Sequence, residues 1–150
     1  MGFIGIVLSI PLVGYLISPA LRRQTRDWAE AGVLGELDIG VPRELTYVVT
    51  VQDGWLKTTA MKSVWAVRRP DGEITVFAPL CTHLGCGYHW DSDDRFFKCP
   101  CHNSIFDITG KVLSGPAPRP LDRLPLKLDG DRLFVIDKQF KPGTSRQIEL

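Results

Sequence analysis

Two short boxes hold the residues of this chain best suited to chemistry. They are Cys81-Thr82-His83-Leu84-Gly85-Cys86 and Cys99-Pro100-Cys101-His102-Asn103-Ser104. Together they contain all four cysteines and two of the three histidines of the 150 residues. Thiolates and imidazoles brought to one point are metal ligands. Each box offers one thiolate and one imidazole at close spacing, Cys81 with His83 and Cys99 with His102. Two Cys and two His suit either tetrahedral zinc or a 2Fe-2S cluster with thiolates on one iron and imidazoles on the other. The spare cysteine in each box is poor zinc-ribbon spacing. The two spare cysteines can instead join as a disulfide.

These boxes need a scaffold, and the chain around them reads as β. Residues 45–51, 63–67 and 73–77 carry β-branched and aromatic side chains, the last after a Pro70-Asp71-Gly72 turn. Residues 124–128 and 132–136 flank Asp129-Gly130, a hairpin signal. The boxes lie between these halves, within residues 79–121. The expected fold is all-β: an antiparallel framework with an inserted, loop-rich cluster-binding subdomain. Gly85 and Gly87 let the backbone come close, and Pro100 stiffens the second turn. His89, in the spacer between the boxes, reads as a loop residue. Residues 138–150 show no clear period and read as a surface tail.

Three segments are expected: an anchor over 1–21, a tether or hinge over 22–40 (or, in its place, an ordered loop packed on the head), and a head over 41–150. Residues 1–21 contain no charged side chain. The 19 residues from 3 to 21 would span roughly 28 Å as a helix, close to the hydrocarbon thickness of a bilayer. Pro11 would kink such a helix, which membrane helices tolerate. A cleaved signal peptide is the competing reading, but no Lys or Arg precedes the run, and the run is long for a signal core. The net charge of +1 gives no footprint for nucleic acid.

The boxes resemble those of Rieske iron–sulfur proteins, and more narrowly the Rieske subunit of bc-type quinol–cytochrome c oxidoreductases, including the menaquinol-oxidising kind. The resemblance is close over about residues 79–121, through the 12-residue spacer from Gly87 to Lys98 and through Gly115-Pro116-Ala117-Pro118. It implies one 2Fe-2S cluster, with Cys81 and Cys99 on the buried iron and His83 and His102 on the exposed one. It implies a Cys86–Cys101 disulfide, a proline loop at 115–118 covering the cluster, and Leu84 at an apolar docking tip. His102 would contact quinol and take its proton, while Ser104 would donate its hydroxyl to a bridging sulfide. The implied function is electron transfer from quinol to a c-type cytochrome beside a cytochrome b subunit in a lipid membrane. A soluble-type Rieske carrier and the small subunit of an arsenite-oxidase-like enzyme are the alternatives. The anchor and the proline loop favour the membrane complex.

Orientation draws on two opposed signals. Arg22, Arg23 and Arg26 follow the apolar run, which by the positive-inside rule puts the remainder in the cytoplasm. A disulfide argues for an oxidising compartment. The disulfide decides the expectation: a single-pass anchor in the cytoplasmic membrane, with the head on the periplasmic or extracellular side and export arginines upstream of Met1.

Two residues depart from family members that oxidise high-potential quinols. Asn103 stands where those have Gly, and Phe106 where they have Tyr. Asn tolerates positive φ and can keep the turn. Phe cannot donate the hydrogen bond that Tyr gives to a cysteine sulfur. Such bonds raise the potential of a cluster, so a lower potential and a menaquinol donor are expected.

Overall fold

The computed structural model describes residues 9–17, 27–53 and 56–150. Residues 9–17 are helical, and 28–136 form ten strands in three antiparallel sheets. The first sheet has the order β1-β10-β9, with β1 at Trp28–Val33, β10 at Arg132–Ile136 and β9 at Leu126–Asp129. The second has the order β2-β3-β4, with β2 at Arg43–Asp53, β3 at Leu56–Arg68 and β4 at Ile74–Phe77. The third is a four-strand meander: β5 at His89–Asp91, β6 at Phe96–Cys99, β7 at Ser104–Phe106 and β8 at Val112–Ser114. The expected all-β antiparallel framework with an inserted module is therefore observed.

The second sheet is the middle layer, and its period-two alternation serves both neighbours. Val64 and Ala66 on β3, with Val76 on β4, join Leu45, Leu133 and Val135 in one core against the first sheet. Trp65 and Val67 on β3, with Phe77 on β4, face the other way, into a second core with Phe97, Phe106, Tyr88 and both unpaired cysteines. Residues 64–67 form a continuous apolar run because both faces of the strand are covered. The hairpin at Asp129-Gly130 closes β9 onto β10, with Gly130 at φ 63.

Of the two expectations for 22–40, the described part follows the ordered one: residues 28–33 are an edge strand, paired from Trp28↔Ile136 to Val33↔Arg132. Ala31 and Leu37 are buried in the first core and hold this segment down. The glycines that suggested a hinge sit at irregularities instead. Gly32 lies where the pairing register shifts, and Gly40 donates to the Arg68 carbonyl. Residues 22–26 of the expected tether lie outside the described residues, as do 1–8 and 18–21 of the expected anchor. Among the described residues no helix is long and apolar enough to cross a membrane.

Residues 138–150 are a strap rather than a loose tail. Phe140 bridges to Glu149, and the Lys141 amide donates to the Ile148 carbonyl. The Gly143 amide donates to Thr82 of the first box at 2.9 Å.

Candidate metal centre

Each box is a tight turn closed by its own backbone. In the first, the Cys81 amide donates to the Cys86 carbonyl at 2.7 Å, and the Gly85 amide to the Cys81 carbonyl at 2.9 Å. Leu80 and Gly87 bridge at its neck. The second box is the turn from β6 to β7, and Cys99 pairs with Ser104 across it. Asn103 takes φ 55, the left-handed conformation anticipated for it. Cys86 and Cys101 form a disulfide that ties the two turns together.

The residues are ordered by depth. Cys81 and Cys99 are free thiols buried at 1% and 2% exposure. His83 is partly exposed and His102 exposed, with their rings perpendicular and 4.7 Å apart. Sulfur thus lies on the inside and imidazole at the surface. The sulfurs of Cys86, Cys99 and Cys101 also lie within 4.8 Å of one another. Two of those three are bonded to each other, so they are not available as thiolates. The free pair, Cys81 and Cys99, are the thiols that could supply sulfur ligands.

A 2Fe-2S cluster fits these residues on three counts. Burial pushes the Cys81 thiol up, and the neighbouring Cys99 adds to that, opposed by the His83 backbone amide. A thiolate so deep in apolar surroundings needs a cationic metal beside it. His83 Nδ1 is buried without a hydrogen-bond partner, an orphan atom that ligation would satisfy. Ser104 Oγ is the third. It is buried and makes no well-formed hydrogen bond, yet it lies near enough to Cys81 to favour the thiolate. It can serve sulfur in the site.

The proline loop closes the second box. Gly115 has φ 92, and a Cβ there would come within 2.5 Å of Ser104 Cα and 2.6 Å of the Asn103 carbonyl oxygen. Only glycine permits this approach. Gly110, at φ 81, lets its backbone contact the Phe77 ring, where a Cβ would be 2.7 Å away. Phe106 is fully buried, with the Tyr88 ring 6.3 Å away. The Tyr88 hydroxyl does not replace the missing phenol, because it donates to the Ala78 carbonyl at 2.7 Å.

His89 opens β5 opposite Lys98, exposed and outside this group, as its spacer position suggested. Leu84 is exposed at 61% beside His83. Sequence reading missed Thr82, buried at 1% between Cys81 and His83, and the buried Arg119–Asp122 ion pair. The Arg119-x-x-Asp122 spacing was visible, but nothing in it signalled burial.

Residues 42–125 match the Rieske [2Fe-2S] domain. The chain is 29% identical to a cytochrome b6-f complex iron-sulfur subunit of Chlorobaculum thiosulfatiphilum, over 90% of this chain and 70% of that one. It is 30% identical to a menaquinol:cytochrome c reductase iron-sulfur subunit of Bacillus subtilis, over 89% of this chain and 82% of that one. Among solved structures, a cyanobacterial plasma membrane Rieske protein from Synechocystis superposes with a TM-score of 0.52 at 29% identity. That match covers 72% of this chain and 98% of the other. The buried thiols, the surface histidines and the family match agree, and the chain belongs to the Rieske 2Fe-2S family as an iron–sulfur subunit of the bc type.

Proposed function

We propose that this iron–sulfur subunit, which carries electrons in a quinol–cytochrome c oxidoreductase, oxidises menaquinol through His102 and serves a c-type cytochrome beside a cytochrome b subunit. The observation that carries the reading is the depth order of the boxes: two buried free thiols beneath two surface imidazoles. In this reading Cys81, Cys99, His83 and His102 hold the cluster. A bound 2Fe-2S cluster supplies a one-electron acceptor.

The chain's own residues supply the rest. The His102 imidazole keeps a ring nitrogen that accepts a hydrogen bond from a quinol hydroxyl and then holds its proton. Leu84 offers an apolar contact that displaces water at the same end. Ser104 donates its hydroxyl to a cluster sulfur, and the disulfide keeps the two boxes in register.

Menaquinol is favoured over a higher-potential quinol by Phe106, which is buried and has no donor to offer. The printed name of the Bacillus subtilis relative agrees. A membrane anchor over 1–21 is supported by the helix at 9–17, whose Ile10, Leu12 and Leu16 are exposed at 60–69%. A head on the periplasmic or extracellular side is supported by the disulfide.

Potentiometric EPR of the full-length chain across pH tests the reading. The expected result is a Rieske-type signal with a potential that falls as pH rises through the histidine range. A chain that binds zinc and gives no such signal overturns it.

A further inference from the structure

The residue between Cys81 and His83 is held by Arg119, at the end of the cluster module, and by the C-terminal strap outside it. Thr82 Oγ1 donates to the Arg119 carbonyl at 2.7 Å, and the Thr82 carbonyl accepts from the Gly143 amide at 2.9 Å. Gly143 sits at φ 71, and a Cβ there would lie 3.4 Å from the His83 carbonyl oxygen. The strap therefore lies directly on the backbone of the first box.

Arg119 closes this contact into a ring. Its Nε and Nη2 donate to the two carboxylate oxygens of Asp122 at 3.0 and 2.7 Å. Nη1 donates to the Thr144 carbonyl at 2.6 Å and to Thr144 Oγ1 at 2.9 Å, and Nη2 donates to the Lys141 carbonyl at 3.0 Å. Those five bonds match the five N–H donors of a guanidinium. The side chain is 5% exposed and that of Asp122 7%. The ring runs from the Arg119 guanidinium to the strap turn at 141–144, from Gly143 to Thr82, and from Thr82 back to the Arg119 carbonyl.

We infer that Arg119 is a positioning residue, which clamps the strap onto Thr82 and so fixes the turn that presents Cys81 and His83. Its bonds go to Asp122, Lys141 and Thr144, and it reaches the first box through Thr82. A lysine would keep the charge but could not reproduce a planar fork with five donors. The inference rests on the cluster reading of the boxes given above.

The test uses the full-length chain with its cluster, and the variants Arg119→Lys, Thr82→Val, Thr82→Ser and Thr144→Val. Iron and sulfide content is measured first, then cluster loss in a chelator, the EPR line shape, and the rate at which a thiol reductant opens Cys86–Cys101. Arg119→Lys and Thr82→Val should speed cluster loss and disulfide opening by roughly five- to tenfold, the fold-change of about one net hydrogen bond. Both should alter the EPR line shape in the same way, while far-UV circular dichroism stays unchanged. Thr82→Ser, which keeps the hydroxyl, should behave as the parent.

Thr144→Val removes one of the five acceptors at a half-buried site and should show a smaller shift in the same direction. It keeps the test open should Arg119→Lys not fold. Rates within twofold of the parent and unchanged EPR spectra in Thr82→Val and Thr144→Val overturn the clamp. A parent chain that carries no iron or sulfide overturns the cluster reading instead, and the clamp with it.

Discussion

The two cores lie on opposite faces of one sheet and are built by different means. The core against the first sheet is mostly aliphatic, with Val64, Val76, Leu133 and Val135 at zero exposure on strands of four to thirteen residues and Tyr47 its buried ring. The core of the cluster module is aromatic. Phe97 lies within 6.0 Å, centroid to centroid, of four other rings: Trp65, Phe77, Tyr88 and Trp90. The module's strands are only three or four residues long. Such short ladders supply few hydrogen bonds, and small sheets depend on what packs over them. The module adds a disulfide, a glycine contact at Gly115 and the strap. The base is held by strand pairing, while the module is held by links between loops. Damage to the module should leave the base standing.

The sharpest way to break the comparison is at a buried thiol. Cys99→Ala should abolish the cluster and all electron transfer, while far-UV circular dichroism retains the signal of the β2–β3 hairpin. A global loss of β signal would mean that base and module fold as one unit. Next in size is the aromatic hub. Phe97→Ala should cost about 3–5 kcal/mol in denaturant unfolding, because it empties a fully buried ring site.

Cys86→Ser tests the covalent link. A bond across 15 residues is worth about 3 kcal/mol in the chain-entropy model, and that loss should appear in the module's hydrogen exchange but not in that of β3 or β10. Equal loss in both regions would erase the distinction.

Phe106→Tyr sharpens the comparison on the functional side. A phenol that reaches a cysteine sulfur adds about 1 kcal/mol of preference for the reduced cluster. That corresponds to a rise of roughly 40–50 mV in a redox titration. No upward shift would show Phe106 to be apolar packing alone.

The smallest effect concerns acid. Amide donation from Asp94, then Lys98, holds the Asp91 carboxyl at about 2, below its ordinary 3.8. Because the folded value is the lower one, the ionised turn contributes its full stability above 3.8 and loses it as pH falls toward 2. The amide resonances of Asp93 and Asp94 should move over that window, and in Asp91→Asn they should not.

The β-branched and aromatic run at 63–67, the Asp129-Gly130 hairpin and the two boxes were legible because each depends on neighbours in the chain. Asn103 was legible for the same reason, since a turn's φ is a local property. The strand at 28–33 was not. Gly32 argues for flexibility, and only pairing with β10, about a hundred residues away, makes it a strand.

Two cysteines and two histidines at ligand spacing on two turns were readable from adjacent residues, because ligand type and local spacing are local properties. The sequence also carried the continuous apolar run at 64–67 that both cores share. Long-range packing set the depth order that puts Cys81 and Cys99 inside and His102 outside. It alone turned residues 138–150 from an apparent tail into a strap on Thr82. Burial and long-range hydrogen bonds depend on which segments meet, and Arg119 reads as one more surface charge until Asp122, Lys141 and Thr144 surround it.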